Sequence, residues 1–204
     1  MTPEIETLFP EPILSNHIGR KFTVEELKVV DYHLNNTVSG ESGNRFSKEQ
    51  RVLENDKLKD IKKFIQENIN FYIQNIEQPS NTYETYITHS FFAFFDKNQY
   101  HKQHIHQNSY IAGILYIKTN EDQDKIFFHK RNRSFLEIER EVYNKFNSDS
   151  WWFPVSTGKL ILFPAHLWHS VERVTSDETR ISLVFNTFIR GNIGRESKCT
   201  DIMI

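Results

Sequence analysis

The stretch Arg180-Ile181-Ser182-Leu183-Val184-Phe185-Asn186 alternates between two kinds of side chain. Successive side chains of a β-strand point to opposite faces, so its first, third, fifth and seventh residues share one face and the other three share the second. The second face is wholly apolar and predicts packing under helices. The first carries an arginine, a serine and an asparagine and predicts the lining of a pocket. This strand therefore indicates a sheet with one covered side and one cavity side.

The segments around this strand extend the β pattern. From residue 80 onward the chain is rich in β-branched and aromatic residues with a period of two. Strands are predicted at residues 82–88, 90–95, 109–118, 159–163, 171–174 and 180–188. Their turn-like connections, without alternating helices, favour an antiparallel sandwich or barrel. Residues 119–150 are polar and are interpreted as an excursion from the barrel.

Helical patterns come before these strands. Residues 23–26 have the form of a capping box, and residues 56–77 place their apolar side chains on one helical stripe, with residues 31–47 interpreted as a loop between the two helices. The fold class is therefore mainly β with packed N-terminal helices (α+β). We expect one domain over residues 1–204, with a helical part (1–79), a β core (80–190) and a C-terminal tail (191–204).

Composition excludes several classes of protein. The 204 residues, 38% hydrophobic and 25% charged, suffice for one core and are too apolar for a disordered chain. No apolar run approaches the roughly 18 residues of a transmembrane helix. The single Cys199 excludes an intramolecular disulfide and a zinc–cysteine site. Without a secretory pattern at the N-terminus, we expect a cytoplasmic protein, in the host cytoplasm if the source is viral.

Charge and glycine usage narrow the function further. A net charge of -2 gives no indication of a nucleic-acid partner, and the only basic cluster, residues 125–133, is interpreted as a solvated loop. Neither a glycine-rich phosphate loop nor a G-x-S-x-G nucleophile elbow occurs, which disfavours nucleotide-dependent enzymes and serine hydrolases.

Histidines supply the strongest functional signal, because five of the nine lie in two short windows. His104 and His106 would share a strand face, and paired neutral imidazoles suit iron, zinc, nickel or copper rather than magnesium or calcium. His169 follows an apolar strand and a proline break, and a closed barrel can bring it opposite the pair. We therefore predict a metal site at His104, His106 and His169, with His166 as the competing candidate for the third position.

Two further side chains are candidates for binding an acid. The planar guanidinium of Arg180 suits bidentate contact with a carboxylate. Tyr116 shares a strand face with Ala112 and Ile114, and its phenol could donate to the same carboxylate. The alternative interpretation of Tyr116 is a core tyrosine with a satisfied hydroxyl.

These elements, in this order, resemble the 2-oxoglutarate/Fe(II)-dependent oxygenases. In that superfamily a double-stranded β-helix carries H-x-[DE], a distal histidine and then an arginine. The sequence has His104-x-His106, Tyr116, His169 and Arg180-x-Ser182 in that order. The chain as a whole resembles a phage and bacterial subgroup with an H-x-H metal motif.

The resemblance implies a fold, cofactors and a reaction. The fold would be a double-stranded β-helix, a jelly-roll or cupin-like barrel. Fe(II) would bind His104, His169 and His106. Arg180 and Tyr116 would hold the distal carboxylate of the cosubstrate 2-oxoglutarate, and Ser182 could add a hydrogen bond. The reaction would use O2 to hydroxylate a substrate that the sequence does not name, with release of succinate and CO2.

One ligand position departs from the family's pattern. His106 stands where the carboxylate is expected, which leaves the metal centre with one more positive charge and weakens the preference for iron over zinc or copper. If His106 is not a ligand, water or chloride could fill its position, or His101 could contribute.

Two alternatives stay open at this point. A cupin would use metal without 2-oxoglutarate, but it would leave Arg180 without a role. A non-catalytic interaction protein on the same barrel would use residues 151–154, Trp-Trp-Phe-Pro, as a partner surface rather than as a pocket lid or core. For an enzyme, we expect residues 31–47 and 119–150 to carry substrate specificity.

Overall fold

The computed structural model describes residues 3–131 and 135–204 and consists mainly of antiparallel strands. The strands are β1 (Leu14–His17), β2 (Thr37–Ser39), β3 (Arg45–Ser47), β4 (Tyr83–Phe95), β5 (His101–His104), β6 (Ile111–Lys118), β7 (Lys125–His129), β8 (Ser150–Pro154), β9 (Lys159–Pro164), β10 (Trp168–Val171), β11 (Arg180–Ile193) and β12 (Ile202–Met203). The helices are α1 (Val24–Leu34) and α2 (Lys59–Tyr72), and α2 continues as a π-helical turn (Ile73–Glu77).

The strands form two sheets. The larger follows the order β1-β9-β6-β11-β4-β3-β2, with β12 paired to β11, and the smaller follows β5-β10-β7-β8. All pairings between these strands are antiparallel. The long central strand β11 lies between β4 and β6, so it sets the face on which any cavity between the sheets is built.

Two apolar clusters cover the two faces of the larger sheet. Ile181, Leu183 and Phe185 belong to the cluster that also contains the buried side chains of α1 and α2. Val184 belongs to the second cluster, which includes Ile126 and Phe128 of the smaller sheet. The predicted division of β11 into a helix-facing side and an inner side is therefore confirmed.

The helices form where the sequence predicts them. Thr23 accepts from the Glu26 amide while the Glu26 carboxylate accepts from the Thr23 amide, so the capping box is complete. Helix α2 buries Ile61, Ile65 and Ile69 against the larger sheet. None of the helices in the described part of the chain has the length and apolar character needed to cross a membrane.

The connecting segments contain more strand than the sequence predicts. The loop prediction for residues 31–47 is wrong, because α1 continues to Leu34 and residues 37–47 form a hairpin. Val38 and Phe46 pair within this hairpin, and its second strand adds to β4. Three-residue strands at a sheet edge are stabilised by pairing with a neighbouring strand. A local residue pattern does not contain that strand, so it does not predict them.

Residues 119–150 also contribute to the sheets. The solvated-loop interpretation of residues 125–133 is wrong for residues 125–129, which form β7 and bury Ile126 and Phe128. Residues 132–134 of that region lie outside the described residues. The expected boundary at residue 190 falls inside β11, and the single-domain assignment stays a prediction.

Candidate metal centre

The smaller sheet and the loop after β5 bring three histidines together. His104 ends β5 and lies directly opposite His169 of β10 in the strand register. His106 lies two residues beyond the end of β5, where its backbone N–H donates to the Ala165 carbonyl at 2.9 Å. Cross-strand pairing therefore positions two imidazoles, and a loop hydrogen bond positions the third.

The three rings converge on one point. The ring centroids of His104 and His169 are 4.2 Å apart, and those of His106 and His169 are 4.9 Å apart. The Nε2 atoms of His106 and His169 are separated by 3.1 Å. One possible ligand atom from each of the three residues lies within 4.8 Å of the others, a spacing that could hold a metal ion.

Each ring presents its other nitrogen to an oxygen atom. Nδ1 of His104 lies 2.8 Å from the Lys102 carbonyl and Nδ1 of His169 lies 2.9 Å from the Leu167 carbonyl. Nδ1 of His106 lies 2.5 Å from Oδ1 of Asn186. An oxygen acceptor fixes the proton on Nδ1, so each Nε2 keeps a lone pair. Three lone pairs that face one another are electrostatically complementary to a cation.

Burial keeps these rings neutral. It lowers the pKa of His106 to about 4 and lowers the pKa of His104. The pKa of His169 lies well below its ordinary value because of burial and the neighbouring histidines. The neutral imidazole is the metal-binding form, so the cluster is ready to bind metal at neutral pH.

The two other candidate histidines occupy different places. His166 is exposed and lies 3.6 Å from the Glu11 carboxylate, outside the cluster. His101 stacks on His104 with ring centroids 4.0 Å apart, and burial lowers its pKa to about 4. His101 therefore supports a member of the cluster without belonging to it.

The predicted acid-binding residues lie together on the inner face of the larger sheet. Ser182 of β11 is opposite Tyr116 of β6 in register, and Arg180 lies two residues before Ser182, on the same face of β11. The Arg180 guanidinium carbon lies 5.3 Å from the centre of the Tyr116 ring. All three residues are buried.

Two polar atoms in this group make no hydrogen bond of good geometry with a described residue. They are Nε of Arg180 and Oη of Tyr116, although Nη1 of Arg180 donates to the Lys125 carbonyl at 3.1 Å. Burial raises the pKa of Tyr116 to about 12, an effect that the guanidinium partly opposes. Unpaired buried donors carry a desolvation penalty of about 1–3 kcal/mol each, which an incoming acceptor would relieve. The alternative interpretation of Tyr116, a core tyrosine with a satisfied hydroxyl, therefore finds no support among the described residues.

The histidine cluster and the group formed by Arg180, Ser182 and Tyr116, which we call the basic end, lie at one cavity of about 480 Å³. His104, His106 and His169 line it together with Arg180 and Ser182, and Tyr116 lies beside these two residues without lining the cavity itself. Residues 37–50 contribute to the lining, but residues 119–131 and 135–150 do not. Of the two segments that we expect to carry substrate specificity, only the one that contains the β2–β3 hairpin therefore lines the cavity among the described residues.

Two contacts in this region do not follow from the sequence pattern. Asn186 was placed on the cavity face by its alternation, but nothing local indicated its contact with His106. Asp124 is buried with an oxygen 3.9 Å from the Arg180 guanidinium, and it lies in a stretch that showed no strand pattern. Both contacts join residues more than fifty positions apart.

Residues 89–186 match a protein-family model described as "Putative 2OG-Fe(II) oxygenase". The matched range runs from within β4 to within β11 and so contains every residue of the histidine cluster and of the basic end. The chain therefore carries, over residues 89–186, the segment that is shared by the 2OG-Fe(II) oxygenases. It is thus an enzyme of the class that depends on 2-oxoglutarate and Fe(II), as the sequence predicted.

Solved structures show the same fold for this 2OG-Fe(II) oxygenase. An oxidoreductase of the 2OG-Fe(II) oxygenase family from Burkholderia pseudomallei is 12% identical, with a TM-score of 0.56 over 86% of this chain and 83% of that one. A prolyl-4-hydroxylase from Pseudomonas putida is 10% identical, with a TM-score of 0.54 over 86% and 92%. HygX from Streptomyces hygroscopicus, with nickel, 2-oxoglutarate and hygromycin B bound, is 12% identical, with a TM-score of 0.54 over 87% and 82%.

None of the curated proteins compared with this 2OG-Fe(II) oxygenase matches it in sequence.

The double-stranded β-helix predicted for the chain is confirmed by the solved structures. The family match favours the oxygenase over both the cupin and the interaction protein. Residues 151–154 lie in β8, away from the cavity lining. The phage and bacterial subgroup and the cytoplasmic location stay predictions.

Proposed function

We propose that this oxygenase binds Fe(II) through Nε2 of His104, His106 and His169 and hydroxylates a C–H bond of its substrate, with release of succinate and CO2. The observation that carries the metal assignment is the set of three Nδ1–oxygen contacts, which leaves three Nε2 lone pairs facing one another. Imidazole nitrogen suits iron, nickel, copper or zinc, so the donor set fits Fe(II).

The basic end of the cavity is proposed to hold the distal carboxylate of 2-oxoglutarate. Arg180 offers a planar fork of donors, and its Nε lacks a partner among the described residues. Tyr116 Oη is the second unpaired donor beside it, and Ser182 lies on the same face. A carboxylate bound there would satisfy buried donors that otherwise remain unpaired, so these residues fit the cosubstrate.

The bound Fe(II) and 2-oxoglutarate would supply the activation of O2, which side chains alone cannot provide. The chain itself would do three things. The histidines would fix the metal on one side and leave its other positions open, Arg180 would orient the cosubstrate, and the apolar walls would exclude water. The bound 2-oxoglutarate of HygX and the hydroxylase activity named for the Pseudomonas putida protein support this assignment by analogy.

The proposal is tested by separating metal binding from cosubstrate binding. Adding 2-oxoglutarate to the Fe(II)-loaded protein under nitrogen should produce a visible charge-transfer absorption band. Arg180→Ala should abolish 2-oxoglutarate binding and leave metal binding unchanged. Arg190→Ala removes an exposed arginine from the outer part of the same strand and serves as the matched control. Equal 2-oxoglutarate affinity in Arg180→Ala and the wild-type protein would refute the role of Arg180.

The metal assignment has its own test. Replacing His106 with alanine should lower Fe(II) affinity, because one of three converging nitrogen donors is lost. His166→Ala is the control, since that imidazole is exposed and lies outside the cluster. Unchanged Fe(II) affinity in His106→Ala would reduce the proposed ligand set to His104 and His169.

A further inference from the structure

One part of the cavity wall is an apolar strip that runs from the inside of the cavity to its edge. None of its residues is assigned to the metal or to the cosubstrate. We define the strip by Val38, Phe46, Phe91 and Val184, which line the cavity on four adjacent strands of the larger sheet. Val184 is opposite Phe91 in register, and Val38 is opposite Phe46. Four strands at their usual spacing make the strip about 14 Å long.

The two phenylalanines form a right-angled corner in the strip. Their ring centroids are 5.7 Å apart and their planes meet at 84°. The Phe46 ring also lies 5.8 Å from His101, which stacks on His104 of the histidine cluster. The Phe46 ring is therefore connected to the histidine cluster through His101. The outer end of the strip, Val38, is 46% exposed on the edge strand β2.

The cavity offers little to a charged substrate. Apart from Arg180 and the histidines, the described residues that line it carry no ionisable side chain. Arg180 already faces Asp124 and is assigned to the cosubstrate under the proposed function. A carboxylate or an ammonium group lying on the strip would lose its hydration without gaining a counter-charge, which is costly.

The rim offers neutral hydrogen-bonding groups. Gln50, Gln107 and Asn108 line the cavity and are exposed. Amide side chains can pair with a neutral amide or hydroxyl without placing a charge in the cavity. Apolar walls with a few polar groups at the edge are typical of sites for small, neutral ligands.

We propose that the group oxidised by this enzyme is part of an uncharged apolar ring that lies on the Val38–Phe46–Phe91–Val184 strip. The inference rests on the proposed function, because it takes the histidine cluster as the reacting centre. The ring would contact the Phe46–Phe91 corner, and neutral polar substituents would pair with the amides at the rim. The ring could belong to a free small molecule or to a side chain of a peptide.

Three probes of the same shape and different charge test the inference: benzamide, benzoate and benzamidine. Their binding is measured by ligand-observed NMR with the protein loaded with Ni(II) and 2-oxoglutarate, so that Arg180 is already occupied. Benzamide should bind at least ten-fold more tightly than either charged probe. Benzoate or benzamidine binding as tightly as benzamide would overturn the inference.

Variants of the strip give an independent readout. Phe46→Ala should weaken benzamide binding about ten-fold, as expected for losing much of one aromatic contact. Phe71→Ala removes an exposed phenylalanine of α2 and should leave binding unchanged. If Phe46→Ala does not fold, Val38→Asp at the exposed end of the strip replaces it, with benzamide binding expected to fall and benzamidine binding to rise. Wild-type selectivity in the variant that folds would overturn the inference.

Two further measurements separate this inference from the proposed function and identify the source of the ring. Benzamide selectivity in a protein that binds neither Fe(II) nor 2-oxoglutarate would keep the strip as a binding site and refute the proposed function. Metal and cosubstrate binding without benzamide selectivity would refute the strip alone. The capped peptide acetyl-Gly-Phe-Gly-amide binding more tightly than benzamide would support a peptide source, and its exclusion would support a small molecule.

Discussion

Replacing Asn186 with alanine should weaken metal binding although Asn186 is not a proposed ligand. Its Oδ1 lies 2.5 Å from Nδ1 of His106 and is the acceptor that fixes the proton on that nitrogen. Without it, the His106 ring can carry its proton on Nε2, which then has no lone pair for a metal. The ring also loses the contact that orients it toward His169.

The expected size of the effect follows from this role. Removing the hydrogen-bond partner of a metal-bound histidine typically lowers metal affinity by about 10–100-fold. That range corresponds to about 1.4–2.7 kcal/mol of binding free energy. Asn186→Asp keeps an acceptor oxygen and adds negative charge beside the imidazole, so it should retain or increase the affinity.

The assay is a metal titration of the purified protein with Ni(II) or Fe(II) under nitrogen, followed by calorimetry. His89→Ala is the matched control, because His89 lies opposite Asn186 in the β4–β11 register and lines the same cavity. Thermal melting of each metal-free variant separates a binding effect from a loss of folded protein. Wild-type affinity in Asn186→Ala, or an equal loss in His89→Ala, would refute the reasoning.

Three other outcomes are expected. His169→Ala should abolish stoichiometric metal binding in calorimetry while His166→Ala retains it; the reverse would move the third ligand to His166. Tyr116→Phe should stabilise the metal-free protein by up to about 1 kcal/mol in chemical denaturation, because it removes an unpaired buried hydroxyl, and should weaken 2-oxoglutarate binding; a destabilised variant with unchanged binding would contradict this. The pKa of His106 is lowered from 6.5 to about 4 by burial, so between these values the unfolded chain binds more protons and stability should fall as the pH drops; a constant melting temperature of the metal-free protein from pH 7 to pH 5 would exclude that contribution.

The parts of the fold that the sequence predicted are those with a strong local pattern. Polar and apolar side chains alternate along the buried half of β11, and α2 carries an apolar stripe. The residue pattern of each element therefore indicates which of its faces is buried. Residues 37–47 and 125–129 lack such a pattern. Each forms strands only because a neighbouring strand offers its hydrogen bonds, and that neighbour is distant in sequence.

The candidate site divides in the same way. His104 and His106 are two residues apart, and Arg180 and Ser182 share one strand, so spacing alone indicated that each pair acts together. The contacts that fix their chemistry are different. The Asn186 acceptor for His106 and the carboxylate of Asp124 beside Arg180 depend on packing between separate strands, which no single stretch of sequence contains.

Asp124 also bears on the unusual third histidine. In the pattern that the chain resembles, a carboxylate follows the first histidine and places a negative charge on the metal. Here His106 is neutral. The buried carboxylate of Asp124 lies instead at the basic end of the cavity, 3.9 Å from the Arg180 guanidinium. Under the proposed assignment, the two positive charges of Fe(II) and the one of Arg180 oppose the one negative charge of Asp124 and the two of 2-oxoglutarate. The loaded cavity is therefore neutral overall, and the negative charge missing from position 106 is supplied at the other end of the cosubstrate. Burial of an unbalanced charge is costly, so this balance would allow a three-histidine centre to share one cavity with a buried arginine.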